Sequence, residues 1–126
     1  MGDPRHTLGI TAEHAVAAWL EACGWRVLGR RVRTSGGGEV DIVALDPHGV
    51  LVGVEVRARR TSRAGMGTET ITAERVRRTV RTVVAFAAEH RVGHRGLRMD
   101  LVSVTPEPGG IPGRWRLRRL ADIGAL

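Results

Sequence analysis

The sequence predicts a single layered α/β domain, an α/β/α arrangement in which a mixed sheet of about five strands is flanked by helices. Two long stretches repeat apolar side chains every three or four residues, which is the period of an amphipathic helix. Short runs rich in Val, Ile and Leu lie between and after these stretches and are typical of strands. Because each helix must bury its apolar stripe, the two helices are expected to cover the sheet.

The composition fits one compact domain over residues 1–126. All twenty basic residues are Arg, and the net charge of +7 favours a polyanionic partner, nucleic acid before a membrane surface. A soluble protein that is basic without such a partner is the alternative. The single cysteine, Cys23, excludes a disulfide framework and is predicted to be a small core residue. With no signal-peptide pattern and no membrane-spanning apolar run, we expect a cytoplasmic location.

The first helix is predicted from Gly9 to Cys23, after residues 1–8, which we expect to be loose. Its apolar stripe consists of Ala12, Ala15, Val16, Trp19, Leu20 and Cys23. Glu13 falls in the predicted first turns, where the helix dipole favours an acid, and this local role is the simplest interpretation of it. A basic strand over Trp25–Arg33 and a glycine-rich break at 35–38 follow.

The centre of the chain, residues 38–57, predicts a β-hairpin. Its two apolar runs flank Asp46-Pro47-His48-Gly49, in which Pro and Gly favour a type I turn closed by a left-handed residue. With Asp46 paired to Val50, the further predicted pairs are Leu45–Leu51, Ala44–Val52, Ile42–Val54, Asp41–Glu55 and Glu39–Arg57. The core face of this ribbon would comprise Val40, Ile42, Ala44, Val52, Val54 and Val56.

This register gathers Glu39, Asp41 and Glu55 around Arg57 at one end of the ribbon. Opposed carboxylates repel each other, so the cluster needs a counter-charge. A bidentate bridge from Arg57 would supply it and make the cluster purely structural. A divalent cation would also supply it, because Mg²⁺ binds one or two carboxylates together with water and phosphate oxygens. Three acids around one cation favour the metal site, and both alternatives remain open.

A second helix is predicted over residues 71–91, with Thr72 as its N-cap and Glu74 in its first turn. Its apolar stripe consists of Val76, Val80, Val83, Val84 and Ala87. We expect phosphate contacts from two groups of arginines, Arg59, Arg60 and Arg63 in the loop 58–70 and Arg75, Arg78 and Arg81 on the helix. A mobile surface loop and a solvated helix face are the competing interpretations.

Strands at Leu97–Val104 and Arg114–Leu120, separated by a loop at 105–113, complete the predicted sheet. The first three strands can form an antiparallel meander, and the strand after the second helix joins by a crossover, which makes the sheet mixed. His90 and His94 have helical ligand spacing but lack a third ligand, so we interpret them as surface residues.

The GEVD of residues 38–41 and the VEVR of residues 54–57 resemble the D…(D/E)-x-K signature of the restriction-endonuclease-like superfamily. The surrounding chain resembles the YraN family of small bacterial endonuclease-like proteins, which is similar in fold to archaeal Holliday-junction resolvases. The similarity covers roughly residues 9 to 104. It includes Glu13 with Ala15, residues 24–28, Ile71-Thr72 and Arg98-Met99-Asp100.

The resemblance implies a nuclease-like site for Mg²⁺ or Mn²⁺. By position, Asp41 and Glu55 would be metal ligands and Glu13 a third acid from the first helix. Arg57 occupies the place of the family's usual Lys, and Arg75-Val76 falls where the family more often has Lys-Gln. Such a site hydrolyses phosphodiesters through metal-activated water. Because Arg stays protonated, Arg57 can orient water and stabilise charge but is a poor base.

Three hypotheses follow from the sequence. The leading one is a metal-dependent DNA endonuclease that prefers branched or structured DNA. The second is a nucleic-acid-binding module that keeps the nuclease-like fold without turnover. The third is a basic protein-interaction domain whose acidic cluster is only structural, and it predicts no salt-dependent affinity for DNA.

Overall fold

The computed structural model describes residues 4–34, 38–59, 71–107 and 114–123, with side chains described from Gly9 onward. The elements in chain order are α1 (Pro4–Ala22), β1 (Arg26–Arg33), β2 (Glu39–Leu45), β3 (Leu51–Ala58), α2 (Ala73–His90), β4 (Leu97–Pro106) and β5 (Trp115–Leu120). Neither helix is long and apolar enough to cross a membrane, as far as the described residues extend. The predicted α/β domain is confirmed.

The five strands form one mixed sheet in the order β1-β2-β3-β4-β5. Strands β1, β2 and β3 are an antiparallel meander, β4 runs parallel to β3, and β5 returns antiparallel to β4. The parallel pair requires the crossover that contains α2, as predicted. Both edge strands, β1 and β5, are rich in arginine, and charge on an edge discourages pairing with another chain.

The sheet has a hydrophobic core on each face. The core on the α1 side is built from Ala12, Val16, Ala17, Leu20, Ile42, Ala44, Val52, Val54, Val102 and Val104. The core on the α2 side is built from Val32, Val40, Val43, Leu51, Val83, Phe86, Ala87 and Met99. Two predictions for the hairpin and the second helix are wrong: Val40 is buried on the α2 side rather than with Ile42, and Val84 is 52% exposed.

The predicted start of the first helix is also wrong. Helix α1 begins at Pro4, so Glu13 lies well past its first turn, and the proposed interaction with the helix dipole falls away. Cys23 follows the last helical residue and is exposed instead of buried, because the helix has ended and its apolar stripe no longer continues. Trp25 to Arg33 was predicted as a strand and is one, from Arg26 onward.

The caps of α2 follow from the sequence. Thr72 Oγ1 accepts a hydrogen bond from the Arg75 N–H at 3.1 Å, and Glu74 lies in the first turn, as predicted. The helix ends at Arg91, whose φ of 52° is left-handed and whose N–H is donated to the carbonyl groups of Ala87 and Ala88. With 18 residues, α2 is about 27 Å long and spans the sheet from the acidic end of the hairpin to the opposite end.

The hairpin turn forms as predicted. Asp46 Oδ1 accepts hydrogen bonds from the N–H groups of His48 at 2.8 Å and Val50 at 2.9 Å, and Gly49 has a φ of 84°. Asp46 Oδ2 also accepts from Arg98 Nη1 at 2.7 Å. Arg98 in turn donates a hydrogen bond to the fully buried Asp100. Through Arg98, the turn is therefore hydrogen-bonded to strand β4.

Candidate active site

The candidate site lies where strands β2 and β3 part. The ladder between them matches the prediction from Leu45–Leu51 to Ile42–Val54 and stops there. One residue further, Asp41 Oδ2 accepts a hydrogen bond of 2.8 Å from the Val56 N–H. The predicted ladder pairs Asp41–Glu55 and Glu39–Arg57 are therefore not formed, because a carboxylate rather than a backbone carbonyl bonds β3 at this point.

The departure from the ladder also interrupts the alternation of faces along β2. Ile42 packs on the α1 side, and Asp41 lines a cleft on that same side together with Glu13. Asp41 and Ile42, two successive residues, therefore both face the α1 side. Because of this interruption, Val40 faces the α2 side and not the α1 side as predicted. The interruption gives Asp41 an open cleft on one side and the buried Glu55 as a neighbour.

Asp41 and Glu55 nevertheless interact, through charge and a side-chain hydrogen bond, although the predicted ladder pair between them is not formed. Glu55 is only 5% exposed. Burial, followed by the charge of Asp41, raises the pKa of Glu55 from 4.5 to about 7, while Arg75 and Arg57 oppose the rise. The raised pKa means that Glu55 keeps its proton to a higher pH than an exposed glutamate does.

Cationic side chains surround Glu55 without fully neutralising it. Arg75 Nη2 lies 3.6 Å from Glu55 Oε2. Burial, followed by the charge of Arg75, lowers the pKa of Arg57. Arg57 Nε and Nη2 are buried with no hydrogen-bond acceptor among the described residues. The bidentate bridge predicted for Arg57 is not made from these atoms, and Glu39 instead accepts hydrogen bonds from Arg33 at 2.8 and 3.1 Å.

Glu13 lies in the cleft with Asp41 but is engaged by two arginines. It is 5% exposed, with Oε1 3.2 Å from Arg30 Nη2 and Oε2 3.4 Å from Arg31 Nε. Within the described ranges, no three His, Cys, Asp or Glu side chains converge closely enough to hold a metal ion. The role of Glu13 as a third metal ligand therefore stays a prediction, whereas Asp41 and Glu55 form an adjacent pair.

The cleft on the α1 side has a volume of about 640 Å³ and is lined by Gly9, Ile10, Glu13, Arg31, Arg33, Glu39, Asp41 and Val56. A second cavity, of about 350 Å³, opens on the α2 side and is lined by Gly38, Glu39, Thr72, Glu74, Arg75, Arg78 and Thr79. Glu39 borders both cavities, at the N-terminal end of β2. Of the carboxyl pair, Asp41 lines the cleft on the α1 side, whereas Glu55 lines neither cavity.

The structure brings part of the predicted phosphate-contacting set together. Arg75 and Arg78 line the cavity on the α2 side, where Arg78 Nη2 also lies 3.5 Å from Glu74 Oε1. Arg59 follows β3, and its Nε is buried without a hydrogen-bond partner in the described part of the chain. Arg81 is exposed on α2. Arg60 and Arg63 lie outside the described residues.

Sequence reasoning missed Arg30 and Arg31 as site residues. The sequence did signal a strongly basic strand at β1. It gave no sign that Arg31 takes a left-handed conformation, with a φ of 50°, or that both arginines meet Glu13. This pairing depends on the packing of α1 against β1 and has no local signature.

Comparison with known proteins connects the chain to one group of sequences. The model of the uncharacterised protein family UPF0102 matches residues 12–104. A UPF0102 protein of Anaeromyxobacter dehalogenans is 40% identical over 132 residues, covering 90% of this chain and 94% of that protein. One of Symbiobacterium thermophilum is 40% identical over 103 residues, covering 82% and 86%. One of Bifidobacterium longum is 35% identical over 114 residues, covering 86% and 91%.

Proposed function

This chain belongs to the UPF0102 family, the YraN family that its sequence resembles, and we propose that it is a divalent-metal-dependent nuclease hydrolysing DNA phosphodiesters. The observation that carries the proposal is the adjacent carboxyl pair of Asp41 and Glu55 at the point where β2 and β3 part. Branched or structured DNA is the substrate we expect, in line with the resemblance to Holliday-junction resolvases.

The donor set of this pair suits Mg²⁺ or Mn²⁺. Both ions prefer oxygen ligands, and Mg²⁺ is commonly held by one or two carboxylates plus water and phosphate oxygens. Burial and the charge of Asp41 raise the pKa of Glu55 in spite of Arg75 and Arg57, so an added cation would stabilise the ionised pair. An ion bound by Asp41 and Glu55 would supply an activated water and a Lewis acid for the phosphoryl oxygen.

The surrounding residues suit the remaining requirements of phosphodiester hydrolysis. Arg57 keeps buried donors without acceptors among the described residues, as expected of a group that binds an anionic ligand. Its guanidinium stays charged, so it would hold the phosphate and stabilise charge developing on it, without taking a proton. Arg75 and Arg78, on the rim of the cavity on the α2 side, would contact neighbouring phosphates.

One observation favours the second candidate, a nucleic-acid-binding module without turnover. Arg75 already lies 3.6 Å from Glu55, so the protein itself supplies a cation at the carboxyl pair. Together with Arg57 in the position of the family's usual Lys, this contact is compatible with a site that binds nucleic acid but no metal. The two candidates differ in metal-dependent cleavage at equal DNA binding.

Asp41→Asn tests the proposal with little change in shape, because an amide oxygen can still accept the Val56 N–H. We expect a loss of Mn²⁺ affinity of about tenfold or more, measured by calorimetry, since one charged ligand is removed. Cleavage of a labelled four-way DNA junction should be abolished, while DNA binding in EDTA stays level or tightens. The matched control is Glu89→Gln, the same charge change at an exposed position of α2. Cleavage that survives in Asp41→Asn would exclude Asp41 as a ligand.

A pair of substitutions at Arg57 separates the two candidates further. For a nuclease, Arg57→Lys should retain cleavage, and Arg57→Ala should lower the rate about 100-fold, as for the loss of one preorganised donor. For a binding module, the unsubstituted protein and both variants should lack cleavage, and the substitutions should change only DNA affinity and melting temperature. Unchanged cleavage in Arg57→Ala would contradict the catalytic role given to this residue.

A further inference from the structure

Arg31 combines a left-handed backbone with a position inside a strand. Its φ is 50°, although it lies between Arg30 and Val32, which pair regularly with Ile42 and Val40 of β2. A left-handed conformation is unfavourable for residues other than glycine, because Cβ approaches the following carbonyl oxygen, and only Asn and Asp adopt it with some frequency. The ladder on both sides fixes Arg31 in this conformation, and such strain is found most often at functional sites.

The consequence of this conformation is a pair of arginines on one carboxylate. Successive side chains of a strand normally point to opposite faces. Here Arg30 and Arg31 both contact Glu13, at 3.2 and 3.4 Å, while the next residue, Val32, packs in the core on the α2 side. The strained residue Arg31 thus lines the cleft together with Asp41, and Arg30 lies beside it on Glu13.

The pair retains capacity for a ligand. Glu13 balances one of the two positive charges, so the group of three carries a net charge of +1. Arg30 Nε and Glu13 Oε1 are buried atoms without a hydrogen bond among the described residues, so contact with a ligand falls to the exposed guanidinium nitrogens. The side chains of Arg30 and Arg31 are 32% and 43% exposed, so a ligand can reach them. The neighbouring Arg33 is already bound to Glu39.

We propose that Arg30 and Arg31, held by Glu13, form a binding site for a backbone phosphate of nucleic acid on the α1 side of the cleft. A guanidinium presents paired donors that match phosphate oxygens. In this arrangement Glu13 is a positioning residue for the two arginines rather than a metal ligand. The choice of nucleic acid as the source of the phosphate rests on the proposed function, but the phosphate contact does not depend on hydrolysis.

Arg31→Gly tests the site without damaging the backbone. Glycine accepts a positive φ freely, which offsets the lost contact between Arg31 and the buried Glu13, so the melting temperature should change little. The affinity for a labelled four-way DNA junction, measured by fluorescence anisotropy in EDTA, should fall about tenfold, and the dependence of log affinity on log salt should flatten by about one unit. Arg31→Asn, which also tolerates a positive φ, is the second variant if glycine loosens the strand.

Arg91→Gly is the matched control. Arg91 has nearly the same φ, 52°, and the same charge, but it caps the far end of α2 and is exposed. We expect the same relief of backbone strain and a much smaller loss of DNA affinity. Equal losses of affinity in the two variants would show that only net charge matters and would overturn the proposed phosphate site.

Glu13→Gln distinguishes positioning from metal ligation. If Glu13 only holds the arginines, Mn²⁺ affinity measured by calorimetry should change less than threefold. A loss of tenfold or more would make Glu13 a metal ligand and contradict the positioning role. Absence of Mn²⁺ binding or cleavage in the unsubstituted protein would count against the proposed nuclease activity alone, because the Arg31→Gly comparison is made without metal.

Discussion

The buried Glu55 makes the stability of this protein depend on pH in a defined direction. Its pKa is raised from 4.5 to about 7, so the folded state holds a proton that the unfolded chain releases at lower pH. Stability contributed by this proton is therefore fully present below pH 4.5 and is lost as the pH rises through about 7. Since one pKa unit is worth about 1.4 kcal/mol, the loss amounts to about 3 kcal/mol, shared with the neighbouring Asp41.

Glu55→Gln should remove this dependence, because the amide stays neutral at every pH. In EDTA at pH 8, the free energy of unfolding of the variant should exceed that of the unsubstituted protein by up to about 3 kcal/mol. This difference should become smaller toward pH 5. Urea denaturation across this range measures the difference. Glu89→Gln, at an exposed position, should give a flat difference. A Glu55→Gln effect that is the same at both pH values would refute the explanation by burial.

Added Mn²⁺ should restore stability to the unsubstituted protein at high pH, because the cation supplies the missing counter-charge.

Two further substitutions test the packing that supports the site. Gly53→Ala should lower the free energy of unfolding by about 1–3 kcal/mol, because a Cβ there would lie 2.7 Å from both Met99 Sδ and Val83 Cγ2. Gly93→Ala, where no atom lies within 4 Å, is its control in the same urea titration and should be near neutral. Asp100→Ala should cost about 3 kcal/mol, because it removes a fully buried carboxylate that accepts hydrogen bonds from Arg98. An Asp100→Ala variant with unchanged thermal melting would show that the arginine is satisfied by solvent.

Local patterns were sufficient to predict the hairpin and the second helix. The turn at Asp46, the pairing of Ile42 with Val54 and the N-cap at Thr72 each depend on a few adjacent residues, and all are confirmed. The meeting of Asp41 and Glu55 followed from the same register, although a side chain replaces the predicted backbone pairing between them.

Features that depend on contacts between distant residues were not predictable in this way. The start of α1 at Pro4 has no apolar signal, because its first residues lie before the stripe. The left-handed Arg31 and its contact with Glu13 arise from the packing of α1 on β1, 18 positions apart in the sequence. The hydrogen bond between Asp46 in the turn and Arg98 joins residues 52 positions apart in the sequence. The alternation of apolar residues within a strand does not predict such a contact.

The division of the core between two faces has an optical consequence. All three tryptophans, Trp19, Trp25 and Trp115, pack against the core on the α1 side, whereas Phe86, the single Phe of the sequence, packs on the α2 side. Trp25 moreover lies beneath two guanidinium groups, those of Arg98 at 5.5 Å and Arg119 at 5.2 Å. Intrinsic fluorescence therefore reports on the α1 layer alone, while circular dichroism at the amide band senses both helices. Coincidence of the two signals during unfolding would identify the layers as one cooperative unit, and a gap between them would measure how far α2 can loosen by itself.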